Sequence, residues 1–224
     1  MKRILIIVTN EGEYQGFEIK TGLWLSELVH FYHEMAQEEV EMVIASPKGG
    51  HVPIDPVSVS GMMLDRVTQQ YYQNPEFMAK LEETVAMDTL VADDFDMIYY
   101  TGGHGVMFDF PNQAKLTALT RGIAAKGGIV AAVCHGVGAL TTMPELIRGK
   151  KLTGYSNFEE HLVRRTKHVP FSLEDELKRN GAHYQKALVP FTPYIVEDGQ
   201  LLTGQNPQST TKLAQAAKTR LLIK

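Results

Sequence analysis

Short apolar runs alternate along the chain with amphipathic stretches of helical period. Such alternation is typical of β-α-β units around a mostly parallel sheet, so it predicts an α/β fold with helices on both faces. The predicted strands are residues 3–9, 41–45, 97–101, 129–133 and 151–155, with a hairpin-like edge at 183–189, 194–196 and 201–203. The predicted helices are residues 23–37, 74–87, 113–125, 136–143, 172–180 and 209–222.

The segment 48–70 interrupts this alternation. It contains paired glycines, two prolines and the pair Met62-Met63, without any sustained period. Periodic elements continue on both sides of it, so we interpret it as an irregular excursion rather than a linker. One domain over residues 1–224 is the simplest organisation for a chain of this length.

Composition narrows the function classes. Of the 224 residues 44% are hydrophobic, and the formal net charge is −4. No basic block is present, which argues against nucleic acid as a partner. The chain has a single cysteine, so it forms no intrachain disulfide and suits a reducing compartment. The first apolar run is too short for a signal peptide, and none approaches the ~20 residues of a membrane span. We therefore expect a soluble cytoplasmic protein.

The cysteine stands where a buried strand is predicted to end. Cys134 follows the apolar run at residues 129–133 and precedes small residues, including Gly136. A sharp strand-to-helix turn with small neighbours has the form of the nucleophile elbow of α/β hydrolases, which exposes a reactive side chain above the sheet. The sequence therefore indicates a cysteine nucleophile, with a small buried hydrophobic residue as the alternative.

A carboxyl group interrupts the apolar stripe of the first predicted helix. Leu23, Phe31 and Met35 share that stripe with Glu27 at four-residue steps. A carboxylate on a core-facing surface needs a partner or must stay protonated. If the helix packs against the carboxyl ends of the strands, Glu27 lies beside Cys134 and can exchange a proton with it. Alternatively, Glu27 sits at the edge of the stripe and extends into water.

A glycine-rich turn follows the predicted strand at residues 97–101. It consists of Gly102, Gly103, His104 and Gly105. Glycines let backbone N–H groups approach a ligand oxygen, so we expect an oxyanion hole or a substrate-binding loop here. Ligands of open α/β sheets bind at the carboxyl ends of strands, which would place this turn beside the cysteine. An ordinary strand-to-helix turn is the alternative.

His135 adjoins the cysteine and can withdraw its proton or stabilise the thiolate. An acid on a later loop would orient this imidazole. Glu159 and Glu160 are the candidates, unless the pair is only the solvated start of a helix. The eight histidines are scattered and form no zinc motif, so we expect no metal. Neither glycine loop has the full G-x-G-x-x-G spacing and no P-loop lysine follows, so we expect no nucleotide or other cofactor.

Four ordered segments together resemble a known superfamily. They are residues 96–105 with Thr-Gly-Gly-His-Gly, 131–136 with Val-Cys-His-Gly, 152–157 with Thr-Gly-Tyr-Ser-Asn, and 202–209 with Thr-Gly-Gln-Asn-Pro-Gln. This pattern resembles the ThiJ/PfpI superfamily, in its branch of heat-shock chaperones and glutathione-independent glyoxalases with a class I glutamine-amidotransferase-like fold. The resemblance covers nearly the whole chain. It implies a flavodoxin-like α/β sandwich that is usually a homodimer.

The resemblance also implies roles for individual residues. Cys134 matches the family's nucleophile, Glu27 the helix-borne acid beside it, and His135 the family's histidine. Gly103 matches the glycine whose backbone N–H faces the reacting oxygen, with the N–H of His135 as a second donor.

The last member of the family's triad is an acid after the Thr-Gly-aromatic strand. An ungapped match places His161 at that position, which departs from the family pattern. Our first choice for the acid is Glu160, and our second is Glu159.

The chemistry that this resemblance implies is the conversion of a small 2-oxoaldehyde, such as methylglyoxal, into a 2-hydroxy acid. The Cys134 thiolate would form a hemithioacetal, Glu27 or His135 would move a proton between adjacent carbons, and water would release the acid. A deglycase-like activity is closely related. The alternatives are a holding chaperone that binds unfolded protein clients and a redox sensor in which Cys134 is oxidised beside Glu27. A glutamine amidotransferase fits poorly, because no His-x-Glu occurs.

Overall fold

A seven-stranded sheet forms the centre of the molecule in the computed structural model, which describes residues 1–222. Its strands are β1 (Lys2–Ile7), β2 (Val40–Ser46), β3 (Val85–Ala86), β4 (Met97–Tyr100), β5 (Ile129–Val133), β8 (Ile195–Asp198) and β9 (Leu201–Gly204). A separate two-stranded sheet pairs β6 (Lys151–Leu152) with β7 (His183–Tyr184). The order across the main sheet is β3-β2-β1-β4-β5-β9-β8.

The strands pair in parallel except at one edge. β1 lies between β2 and β4, and β5 lies between β4 and β9, all in parallel register. At the edge, β8 and β9 form an antiparallel hairpin that turns at Gly199, as the sequence predicts. Every residue of β4 and β5 is buried, which is expected of parallel strands covered on both faces. The predicted α/β architecture is confirmed.

Helices cover both sides of the sheet. They are α1 (Leu25–Met35), α2 (Arg66–Tyr72), α3 (Pro75–Glu82), α4 (Val106–Asp109), α5 (Ala114–Ala125), α6 (Pro144–Ile147), α7 (Asn157–Leu162), α8 (Leu173–Arg179) and α9 (Thr210–Leu222). α1 packs along α9, whereas α5 packs against β4 and β5. Within residues 1–222, no helix combines the length and the apolar character that a bilayer crossing requires.

Two aromatic contacts hold α1 over the sheet. Phe31 stacks on Tyr99 of β4 with ring centroids 3.7 Å apart. The Tyr99 hydroxyl donates a 2.8 Å hydrogen bond to the backbone carbonyl of Glu27. These contacts fix the first turn of α1, and with it the Glu27 side chain, near the carboxyl end of β4.

Several predicted elements have different bounds in the structure. The helix predicted at residues 74–87 ends at Glu82, because Val85 and Ala86 pair with β2 as an edge strand. Of the strands predicted at 151–155 and 183–189, only the first two residues of each form a strand, and the rest of both predictions was wrong. These two short strands, β6 and β7, pair with each other outside the central sheet. One cause is that the backbone N–H of Thr153 donates to the side-chain hydroxyl of Thr203 in β9 instead of to a backbone carbonyl. The helix predicted at 136–143 is a 3₁₀ helix, Cys134–Thr142.

The irregular segment 48–70 packs against the start of α1. The backbone N–H of Leu23 donates to the Pro53 carbonyl, and the N–H of Asp55 donates back to the Leu23 carbonyl. The segment ends in α2, whose first turn is capped by the Asp65 carboxylate. It therefore forms part of the surface above the carboxyl ends of the strands.

Candidate active site

Cys134 occupies a strained turn at the end of β5. Its φ angle is +56°, in the left-handed region, which costs a non-glycine residue roughly 1–3 kcal/mol. Gly136, which closes the turn, cannot be replaced by a larger residue, because a Cβ there would lie 2.3 Å from the Thr101 carbonyl oxygen. The Cys134 side chain lines a cavity, which is the arrangement that a nucleophile elbow produces.

Glu27 lies fully buried on the first turn of α1. Its Oε2 accepts a 2.6 Å hydrogen bond from the backbone N–H of Gly102, and within residues 1–222 its buried Oε1 has no hydrogen-bond partner. Burial raises the pKa of the Glu27 carboxyl to about 8, against a smaller lowering by Cys134 and by the Gly102 N–H. At neutral pH this carboxyl is therefore mostly protonated and has a proton to give.

The thiol of Cys134 and the carboxyl of Glu27 are coupled. Burial raises the pKa of the thiol well above its ordinary value, and the charge of Glu27 raises it further. The backbone N–H of His135 acts in the opposite direction. Because a negative charge on one group disfavours a charge on the other, the two groups titrate as a pair. The pair can pass a proton between oxygen and sulfur without burying two charges.

His135 and Glu160 extend this line of polar groups behind the sulfur. His135 Nδ1 lies 3.3 Å from Cys134 Sγ, and His135 Nε2 lies 2.6 Å from Glu160 Oε2. Both side chains are almost entirely shielded from solvent. Burial raises the pKa of the Glu160 carboxyl, but the charge of His135 and the N–H groups of His104 and His135 outweigh it and hold that pKa below its ordinary value. Glu160 is therefore a carboxylate and fixes the His135 ring.

Glu159 points away from the cysteine. It is fully buried, and its oxygens accept hydrogen bonds from side chains and backbone of four residues: Ser156, Phe191, Gln205 and Asn206. It therefore ties α7 to the segment after β9. His161 is exposed. Of the two candidate acids that the sequence left open, only Glu160 lies against His135 in the structure.

Each residue of the glycine turn contributes differently. The N–H of Gly102 is used by Glu27, so the expectation that it binds a substrate oxygen does not fit this structure. The N–H of Gly103 has no partner within residues 1–222, and this residue lines the cavity at φ +101°. A Cβ at Gly103 would lie 2.1 Å from the Gly22 carbonyl oxygen. His104 contributes its side chain, whose Nε2 lies 2.8 Å from Glu160 Oε1.

The sulfur faces a cavity of about 500 Å³. Gly103, His104 and His135 line it beside Cys134. Its other walls come from scattered segments: Tyr14, Lys20, Trp24, Asp55, Val57, Met63, Tyr155, Leu162, Val163, Arg165, Phe191, Pro207 and Gln208. The sequence analysis assigned none of these wall residues to the site, although it noted Met63 and quoted the segment that contains Tyr155. Tyr155, whose ring centroid is 4.4 Å from that of His135, lies in the Thr-Gly-Tyr-Ser-Asn segment and could have been found there. Tyr14 lies in an aperiodic loop and had no signal.

Three ligand-type side chains lie close enough together to hold a metal ion. Ligand atoms of His104, His135 and Glu160 are within 4.8 Å of one another. However, the imidazole nitrogens that face the carboxylate already donate hydrogen bonds to it at 2.8 and 2.6 Å. We therefore describe the three residues as a hydrogen-bonded triad and assign no metal to them.

A sequence model of the DJ-1/PfpI family matches residues 19–219. The chain belongs to the DJ-1/PfpI family. The glutathione-independent glyoxalase HSP31 of Saccharomyces cerevisiae is similar to it, with 29% identity over 229 residues that cover 95% of each chain. Glyoxalase III of Candida albicans matches it in structure with a TM-score of 0.88 at 28% identity, over 97% of this chain and 96% of that one. Rapid Encystment Protein 24 kDa of Francisella tularensis matches with a TM-score of 0.95 at 37% identity over 100% of both chains.

Proposed function

We propose that this DJ-1/PfpI protein is a cysteine-dependent, glutathione-independent glyoxalase that converts a small 2-oxoaldehyde into a 2-hydroxy acid. Two relatives that match it over nearly their full length are named as glyoxalases. The observation that carries the proposal is the setting of Cys134, which lines a cavity with its sulfur 3.3 Å from His135 Nδ1. Glu27 lies on the same spot of backbone, since a Cβ placed on Gly102 would be 2.5 Å from Glu27 Oε2 and 2.9 Å from Cys134 Cβ. Each of these three groups has a task in an internal redox isomerisation of such a substrate.

The first step is addition of the thiol to the aldehyde. Nδ1 of His135, 3.3 Å from Sγ, takes the thiol proton, and Glu160 stabilises the imidazolium that forms. The thiolate forms a C–S bond with the aldehyde carbon, and Glu27 gives its proton to the new alkoxide. The free N–H of Gly103 donates to the substrate oxygen as charge develops there, the kind of contact whose loss costs about 2.7–4 kcal/mol.

The second step moves a hydrogen between the two carbons. The Glu27 carboxylate, having given up its proton, removes the hydrogen of the former aldehyde carbon. The electron pair passes to the ketone oxygen, which takes the proton held by the His135 imidazolium, and an enediol forms. Glu27 then gives its proton to the second carbon and takes the hydroxyl proton of the first, which leaves a thioester on Cys134 and an alcohol beside it. A pKa of about 8 suits this task, because a proton shuttle works best when its pKa is near the working pH. Water then cleaves the C–S bond and releases the 2-hydroxy acid.

Steady-state kinetics with methylglyoxal in buffer without glutathione test the proposal. Wild-type protein is expected to form lactate, and Cys134→Ala is expected to form none. His161→Gln is the matched control, because His161 is exposed and next to Glu160 in sequence but outside the hydrogen-bonded line. A wild-type protein without turnover, or a Cys134→Ala variant with full turnover, would refute the function.

A further inference from the structure

His104 is a second imidazole that is oriented by the same carboxylate as His135. Glu160 Oε1 lies 2.8 Å from His104 Nε2, and Glu160 Oε2 lies 2.6 Å from His135 Nε2. A carboxylate only accepts hydrogen bonds, so both Nε2 atoms carry hydrogens. In the neutral rings, both Nδ1 atoms are therefore free lone pairs that can accept a proton.

The two Nδ1 atoms face different groups. His135 Nδ1 is engaged with the Cys134 sulfur. His104 Nδ1 has no hydrogen-bond partner in the part of the chain that the structure describes. The atom is not sealed from solvent, and the ring lines the cavity, so Nδ1 is open to the cavity. The two ring centroids are 4.1 Å apart, so the two bases lie side by side and share one cavity with Cys134.

The environment keeps His104 in its basic form. Burial lowers the pKa of His104, and the charge of His135 lowers it further, although Glu160 acts in the opposite direction. When His135 carries the thiol proton, protonation of His104 is disfavoured again. Tyr14, whose ring centroid is 5.3 Å from that of His104, lines the same cavity.

We propose that His104 is the general base that activates water to hydrolyse the thioester on Cys134, a role that rests on the glyoxalase function proposed above. Water gives one proton to His104 Nδ1, and its oxygen adds to the thioester carbon. The tetrahedral intermediate collapses with cleavage of the C–S bond, and the electron pair leaves on sulfur. The proton on His104 then returns to the thiolate, and the 2-hydroxy acid departs. Two imidazoles on one carboxylate thus serve the two halves of the reaction: His135 the formation of the C–S bond, and His104 its hydrolysis.

The test separates the two halves with His104→Gln. The glutamine amide can still donate a hydrogen bond to Glu160 but cannot act as a base. General bases contribute about 10²–10⁴-fold, so kcat for methylglyoxal is expected to fall at least about a hundredfold. The variant is expected to accumulate an adduct on Cys134 that survives acid quenching, as a thioester does and a hemithioacetal does not. Hydroxylamine needs no base to attack a thioester. Added to the adduct after free methylglyoxal, which it would convert to an oxime, has been removed, it is expected to free Cys134 and yield the hydroxamate.

Further measurements make the outcome unambiguous. His104→Asn is tested in parallel with circular dichroism on both variants, so that misfolding of one does not decide the result. With methylglyoxal deuterated at the aldehyde carbon, an isotope effect on kcat in the wild type is expected to disappear in the variant, because hydrolysis becomes rate-limiting. His161→Gln is expected to behave as wild type. Unchanged kcat, or a fall in kcat without an acid-stable adduct, would overturn the role of His104. Absence of turnover by the wild type would instead overturn the glyoxalase function, and this role with it.

Discussion

Replacing Glu160 with glutamine tests whether the carboxylate that holds the imidazoles matters for the reaction. Glu160 accepts hydrogen bonds from His135 through one oxygen and from His104 through the other. Glutamine has nearly the same shape, but one of its ends donates instead of accepting. That end must face an imidazole nitrogen that already carries a hydrogen, so one ring either loses its contact or changes its tautomer.

The size of the effect follows from these contacts. A hydrogen bond to a charged group contributes about 1.5–3 kcal/mol, and each ~1.36 kcal/mol of barrier is tenfold in rate. Loss of the His135 contact alone therefore predicts a fall in kcat/KM of about 10- to 150-fold. If the His135 ring changes tautomer, its Nδ1 can no longer accept the thiol proton. The loss can then approach the ~10⁴-fold effect of carboxylate-to-amide exchange in Ser-His-Asp hydrolases.

The neighbouring glutamate supplies a matched control. Glu159→Gln makes the same chemical change one residue away, in a network of donors that does not include His135. It leaves at least one buried donor unpaired, at about 1–3 kcal/mol each, so the Tm is expected to fall by roughly 2–12 °C. Its kcat at 25 °C is expected to stay near that of the wild type.

The assay combines lactate formation from methylglyoxal with thermal melts of the wild type and both variants. Glu160→Gln is expected to have a much lower activity and nearly the same Tm as the wild type. Glu159→Gln is expected to have a lower Tm and nearly the same activity. If Glu160→Gln keeps kcat/KM within about threefold of the wild type, a difference of less than ~1 kcal/mol, the carboxylate does not orient the reacting imidazole. The reaction would then have to proceed without the hydrogen-bonded line described above.

Three further predictions concern other parts of the site and its support. Glu27→Gln is expected to abolish lactate formation, because the proton shuttle is lost. The nucleophile is kept, so the hemithioacetal on Cys134 is expected to be detectable by native mass spectrometry at neutral pH and to disappear on acid quenching. Burial raises the pKa of the Asp109 carboxyl from 3.8 to about 7. Between these pH values the folded state holds a proton that the unfolded chain releases, so the free energy of unfolding of the wild type falls as pH rises through that window. In thermal melts from pH 4 to 8, the stability of Asp109→Asn relative to the wild type is expected to rise by up to about 4 kcal/mol, and a stability difference that does not change with pH would contradict this. Gly103→Ala, at φ +101° and 2.1 Å from a backbone oxygen, is expected to lower stability by more than about 3 kcal/mol in denaturant melts. Gly50→Ala, at φ +71° with open space around it, is the control and is expected to cost only about 1 kcal/mol.

The fold could be predicted from sequence wherever burial imposed a period. β4 and β5 are buried at every residue, so they read as continuous apolar runs, and the stripe of α1 followed its contact with the sheet. Short elements were missed because too few residues are buried in them to show a period. β3 has two residues, one of them exposed, and its pairing with β2 leaves no pattern in so short a segment.

The candidate site was predictable where chain topology brings segments together. The glycine turn follows β4 and Cys134 follows β5, and adjacent parallel strands necessarily end at the same edge of the sheet. Glu27 could be placed there only conditionally, because its distance from the sulfur depends on how α1 is fixed by Phe31 and Tyr99. The cavity walls contributed by segment 48–70 were out of reach, since no periodic signal tells how an irregular segment packs.

The choice between Glu159 and Glu160 shows what decides a catalytic assignment that motif spacing leaves open. Successive residues of a helix point about 100° apart, so two adjacent glutamates cannot both face His135. Which one does is fixed by the partner that captures the other: Gln205 and Asn206, after β9, bind Glu159 and turn Glu160 toward the imidazoles. The two amides were visible in the sequence as part of the segment 202–209, but their relation to α7 spans more than forty residues and exists only in the fold. The segment 202–209 therefore supports the site in two ways: Pro207 and Gln208 line the cavity, and Gln205 and Asn206 engage the glutamate that has no part in the proposed reaction.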